Sequence, residues 1–149
     1  MLLYRITKAA YADDLSGTGA RLYGGRWNSV GKPAVYLASS HSLAVLEVLV
    51  HLPPALVPKD FVVVTLDVPE DIAQFDVQLL PPGWSQYPEP VSLRYYGDAF
   101  IAENKHLLLK VPSAVVPQEY NYLLNPRHNK ASKIKFVNHE PFSFDKRLI

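Results

Sequence analysis

The sequence predicts an α+β fold in one compact domain, a mixed sheet of six or seven strands with two or three helices. Three observations lead there. Strand-like runs do not alternate regularly with helical ones, as a doubly wound parallel sheet would require. Thirteen prolines, most of them gathered at 53–58, 81–90 and 112–117, punctuate short elements and argue against a helical bundle. A length of 149 residues, 48% of them hydrophobic, is enough for one core and places the whole chain, 1–149, in a single domain.

The elements follow in order. "LLYRI" reads as a first strand, and "ADDLSGTGA" as a polar loop leading into "RLYGGRW", where the paired Gly24 and Gly25 suggest a bulge. "AVYLA" is a short buried strand. Ser39 or Ser40 then caps a helix that runs to about His51 and is stopped by Pro53 and Pro54. "DFVVVTLDV" is the clearest strand in the chain. "LLPPGWSQYPEPV" holds four prolines and a glycine, which deny it most ladder hydrogen bonds and leave an irregular loop of the kind that often borders sites. "VSLRYYGDAFIAEN" predicts a second helix with Gly97 as its weak point, and "HLLLKV" returns as a strand ending at Pro112. Beyond it, the turn signal "NPRHN" precedes strand-like "IKFVNH" and "PFSF".

Composition removes several function classes. Lys plus Arg number 15 against 14 Asp plus Glu, so a net charge of +1 provides no field to attract nucleic acid or a membrane surface. The absence of cysteine excludes a disulfide framework, a thiolate metal site and a cysteine nucleophile. The five histidines lack ligand spacing, so no metal is expected. The start shows no signal-peptide pattern, and no apolar run approaches the roughly 20 residues of a spanning helix, so a cytoplasmic location is expected. "GTGARLYGG" is not a dinucleotide fingerprint. "RHNKASKIK" is locally basic, with a solvated face as the ordinary reading.

One residue stands out. Glu47 sits among apolar residues from Leu43 to Val50. At helical spacing, Ser40, Ala44, Glu47 and His51 form one stripe, which can be a solvated polar face; in a helix so apolar, it can equally be a buried wall. A buried carboxylate needs a cationic or hydrogen-bonding partner. Arg26, after two glycines, is a candidate partner whose guanidinium fork also suits phosphate. Tyr36 reads either as core packing or as a site group, and Ser113 as a turn residue or a site group.

The stretches "RLYGGRWNSVGKPAVYLASSHSLAVLEVL", "YYGDAF", "LLLKVPSAVVPQEYNYLLNPRH" and "PFSFDKRL", in this order, resemble the RES-domain family of bacterial toxins across nearly the whole chain. Val30 stands where proline is expected and Phe100 where tryptophan is frequent; neither is a candidate functional group. The family's arginine, glutamate and serine fall on Arg26, Glu47 and Ser113, with a motif tyrosine at Tyr36. The resemblance implies a fold similar to ADP-ribosyltransferase toxins and an enzyme that destroys NAD, with catalytic groups Arg26, Tyr36, Glu47 and Ser113 and with Arg26, Tyr36, Asn28 and Ser113 binding the dinucleotide. NAD is then substrate, and no cofactor is required. It also implies an Xre-type antitoxin as protein partner, with nucleic acid met only through that antitoxin; a toxin homodimer is expected. Water or phosphate is the implied acceptor. Transfer of ADP-ribose to protein, a non-catalytic binding module and a nucleic-acid-directed toxin are the competing readings.

Overall fold

A computed structural model describes residues 1–149. Seven strands form one mixed sheet in the order β4-β5-β6-β2-β1-β3-β7. They span Leu2–Lys8 (β1), Val35–Ala38 (β2), Phe61–Asp67 (β3), Ile72–Ala73 (β4), Leu108–Pro112 (β5), Tyr120–Leu124 (β6) and Lys135–Pro141 (β7). Every neighbouring pair is antiparallel except β4 with β5. Three α-helices, Thr18–Tyr23 (α1), His41–Leu49 (α2) and Arg94–Glu103 (α3), complete the fold, and none is long and apolar enough to cross a membrane.

Side-chain alternation along the strands sorts the core onto two faces. Leu3, Val35, Leu37, Val62, Val64, Leu66, Leu108 and Leu124 share one apolar cluster, covered by loop residues such as Ala12 and Leu107. On the other face α3 packs Phe100 and Ile101 with Trp27, Leu109, Val111 and Leu123, while α2 packs Leu43 and Ala44 with Ile6, Ala38 and Phe61. The two helices thus cover different parts of the same face.

The joint between those parts is narrow. β1 pairs with β3 over seven residues and β2 with β6 over four, but β1 meets β2 at the single pair Tyr4↔Ala38. The sheet is therefore close to two half-sheets sharing one short seam, and the residues around that seam border a wide cleft.

The segment expected as a loop into "RLYGGRW" forms α1 instead. Six residues containing Gly19 carry too weak a propensity to be read as a helix; tertiary contacts hold it. Gly24, at φ 71°, ends it with its N–H on the Ala20 carbonyl at 2.8 Å. β4, only two residues long, and β6, flanked by turn signals, were also outside the expected strands. "PFSF" does not continue as a strand: Phe142 and Phe144 stack edge-on, and Phe144 meets Phe61 in the same way. Gly97 is not a weak point. A Cβ there would overlap the Trp27 carbonyl oxygen, so the glycine lets α3 press against the turn that carries Arg26.

Candidate active site

Glu47 faces a cleft of about 610 Å³ over the seam, within the usual range of small-molecule sites. Ser40 sets the helix that carries it by accepting the Leu43 N–H on its hydroxyl at 3.1 Å. Three members of the stripe, Ala44, Glu47 and His51, line this cleft together with Val48. Along the stripe Ala44 is buried and Glu47 half-buried on the cleft wall, while His51 stays exposed.

Arg26 is not the partner of Glu47. One carboxylate oxygen, Oε1, accepts both the Ser113 hydroxyl at 2.6 Å and the Asn121 amide at 2.7 Å, and Oε2 has no protein donor. Ser113, at the end of β5, is fully buried, and its Oγ accepts the Val115 and Val116 N–H groups at 3.1 and 3.0 Å. With its lone pairs so engaged, the hydroxyl proton is directed to Glu47. Asn121 comes from β6, opposite Ala38 of β2, and its own Oδ1 is buried without a partner. A charge held by two neutral donors and no cation keeps one oxygen free for whatever enters the cleft.

Arg26 lines the same cleft but points its Nη1 at the irregular loop, donating to the carbonyls of Trp84 at 2.8 Å and Gln86 at 3.0 Å. Its Nε and Nη2 have no protein acceptor. Tyr36, from β2, also lines the cleft. Its hydroxyl donates to Asn28 Oδ1 at 2.6 Å and accepts the Trp27 N–H at 3.1 Å; burial pushes its pKa well up, so the group stays protonated. The second glycine of the pair has a steric cause here, since a Cβ on Gly25 would lie 2.5 Å from that hydroxyl and 2.9 Å from Asn28 Oδ1.

Asn28 and Ser113 do not line the cleft, contrary to their expected place on the dinucleotide. Both are fully buried. The Asn28 amide donates to the carbonyls of Ala20 at 2.9 Å, Lys32 at 3.0 Å and Ser29 at 3.2 Å, leaving nothing for a ligand. Each acts through a neighbour: Asn28 orients Tyr36 and closes the turn behind Arg26, and Ser113 orients Glu47.

Sequence reasoning missed Asn121, Glu89, Arg5 and Tyr87, all on the cleft wall. Asn121 had a signal, a polar residue in the apolar alternation of "YNYLL". Arg5 is tied to the Asp14 and Tyr11 carbonyls at 3.0 and 3.2 Å. Tyr87 meets His51 edge-on at 6.4 Å, joining the irregular loop to the end of α2. No group of three or more His, Cys, Asp or Glu side chains converges as a metal site.

Residues 2–145 match the model of the RES domain. The chain is 42% identical over 152 residues to the protein named Toxin Res of Photorhabdus laumondii, spanning 100% of this chain and 97% of that protein. It is 41% identical over 142 residues to the Prs ADP-ribosylating toxin of a Sphingobium species, spanning 93% and 88% respectively. A chain from the crystal structure of the M. tuberculosis MbcT–MbcA toxin–antitoxin complex has the same fold, with a TM-score of 0.78 at 22% identity over 95% of this chain and 84% of that one.

Proposed function

This chain belongs to the RES-domain family, and from that premise we propose that it is the toxin of a toxin–antitoxin pair that cleaves the nicotinamide N-glycosidic bond of NAD. The observation that carries the reading is the Glu47 carboxylate, pinned through one oxygen by Ser113 and Asn121 and free at the other on the wall of the cleft.

Breaking that bond leaves an oxocarbenium-like ribose. Nicotinamide departs neutral, because its ring nitrogen was already cationic, so no general acid is needed. A carboxylate held in a partly dry cleft stabilises the developing cation, a preorganised effect of roughly 3 to 4 kcal/mol for one well-placed group. Arg26, with Nε and Nη2 unengaged, is suited to the diphosphate. Tyr36 offers its ring to the nicotinamide ribose while Asn28 holds its hydroxyl. Ser113 and Asn121 are positioning residues that hold the Glu47 rotamer. NAD is the substrate and no resident cofactor takes part; water or phosphate is the acceptor.

An Xre-type antitoxin in the cytoplasm is the proposed partner, and a toxin homodimer the proposed assembly. The MbcT–MbcA complex, a toxin bound to its antitoxin, supports an antitoxin partner. A second reading, transfer of ADP-ribose to a protein, is favoured by one observation, the ADP-ribosylating activity in the name of the Sphingobium relative. Incubating pure protein with adenine-labelled NAD tests both. Nicotinamide and free labelled ADP-ribose products at catalytic turnover support NAD degradation, label on a macromolecule supports transfer, and intact NAD refutes both.

A further inference from the structure

Arg26 springs from a tight turn in which the Gly25 N–H reaches the Asn28 carbonyl at 3.0 Å, so Arg26 and Trp27 are its two central residues. Gly24 and Gly25 lead into it, and two successive glycines restrain the direction of a chain least of any residues. The orientation of the turn has to come from outside it. Three consecutive residues of α3 supply that restraint. The Tyr96 ring meets the Trp27 ring edge-on at 6.1 Å. The Gly97 backbone lies against the Trp27 carbonyl, where a Cβ would stand only 1.7 Å from the oxygen. Asp98 accepts the Ser29 N–H on Oδ1 at 2.8 Å and the Ser29 hydroxyl on Oδ2 at 2.5 Å, so both carboxylate oxygens engage one residue at the exit of the turn. Asp98 itself does not line the cleft.

We propose that Asp98 is a positioning residue for the dinucleotide site: by clamping Ser29 it fixes the turn that aims Arg26 at the diphosphate of NAD. The inference rests on the NAD-cleaving reading above, in which Arg26 binds that diphosphate. Two anchors then set Arg26. The Trp84 and Gln86 carbonyls hold one nitrogen of its head, and α3 holds the backbone from which the side chain leaves. Without the second anchor the head stays tied to an irregular loop while its base is free to swing, and a binding group displaced by about 1 Å can cost up to about 100-fold. Both donors to Asp98 are neutral, so the clamp depends on hydrogen-bond geometry rather than on an ion pair, and a neutral amide can replace the carboxylate.

The test measures nicotinamide release against NAD concentration for the parent, Asp98→Ala, Asp98→Asn, Arg26→Ala and the Arg26→Ala/Asp98→Ala double variant, with thermal melting of each. One charge-assisted hydrogen bond is worth about 10- to 100-fold in affinity, so Asp98→Ala is expected to raise KM by about that factor while kcat changes little. Asp98→Asn keeps an oxygen for the Ser29 N–H and an amide donor for its hydroxyl, and should bring KM most of the way back. In the Arg26→Ala background the Asp98→Ala change should add nothing further to KM, because its effect passes through Arg26; a merely structural helix contact would add its cost in both backgrounds. A readout independent of turnover comes from Trp27, only 3% exposed. In a Trp84→Phe background, where Trp27 is the sole tryptophan, Asp98→Ala should red-shift its emission and open it to acrylamide quenching. If Asp98→Ala is too unstable to assay, Ser29→Ala, which removes the hydroxyl bond and keeps the backbone one, takes its place with a smaller rise in KM. Unchanged KM in the folded variant, a further rise in the Arg26→Ala background, no recovery in Asp98→Asn, or unchanged Trp27 emission would each overturn the proposal. If the parent releases no nicotinamide, the NAD-cleaving reading fails and the role toward the dinucleotide with it, while the Trp27 measurement separately decides whether Asp98 holds the turn.

Discussion

Replacing Glu47 with glutamine separates charge from packing. In the parent, Oε1 accepts Ser113 Oγ at 2.6 Å and Asn121 Nδ2 at 2.7 Å. The amide oxygen of glutamine can take the same place and accept both, while the amide nitrogen stands where Oε2 faced the cleft. Each of these bonds weakens on losing its charge, charge-assisted bonds being roughly twice as strong as neutral ones. In partial offset, a half-buried carboxylate without a cation no longer has to be kept ionised out of water. The net stability change is about 1 kcal/mol or less, which for a chain of this length is about 2 to 4 °C in Tm. Catalysis has no such offset. Loss of the charge opposite the developing cation is expected to lower NAD turnover by about 100-fold or more, near 3 kcal/mol. The assay pairs chromatographic nicotinamide release at saturating NAD with thermal melting on the same preparation. A variant that melts like the parent and turns over NAD at the parental rate refutes a role for the Glu47 charge.

Ser113→Ala should lose stability as well as turnover: it removes the acceptor of the half-buried Val115 and Val116 N–H groups and a donor to Glu47, on the order of 1 to 3 kcal/mol in all, and calorimetry showing an unchanged Tm would contradict this. Gly97→Ala, which helix propensity alone would score as stabilising by about 1 kcal/mol, should instead destabilise by about 3 kcal/mol because its methyl meets the Trp27 backbone, with denaturant midpoints giving the sign. Asp71 is held at a pKa of about 2, below its ordinary 3.8, by hydrogen bonds from His106 and Lys130. A depressed carboxylate contributes stability that is complete above its ordinary value and is lost as pH falls toward the folded one. The stability gap between the parent and Asp71→Asn should therefore be constant above about pH 5 and close between pH 4 and 2; a gap that persists at pH 2 would exclude this cause.

Much of the local structure was written in neighbouring residues. The cap at Ser40, the apolar spacing of α2 and the prolines after it mark a helix and its ends within a dozen residues, and "DFVVVTLDV" declares a strand by β-branched content alone. Arg26 and Tyr36 come together across a short turn, and family resemblance picked them out with Glu47 and Ser113. Tertiary structure decided what those residues touch. Glu47 meets Ser113 and Asn121 across 66 and 74 positions of chain, a meeting set by the strand order that brings β6 beside β2 under α2. Periodicity says which face a residue takes but not which strand lies next to it, so neither the true partners of Glu47 nor the commitment of Arg26 to the Trp84 and Gln86 carbonyls could be read from spacing. Glu89 lay beyond reach for a related reason. It sits in a proline-rich loop with no period, and only the seam between β1 and β2, closed by one residue pair, creates the opening that Glu89 and Glu47 both face.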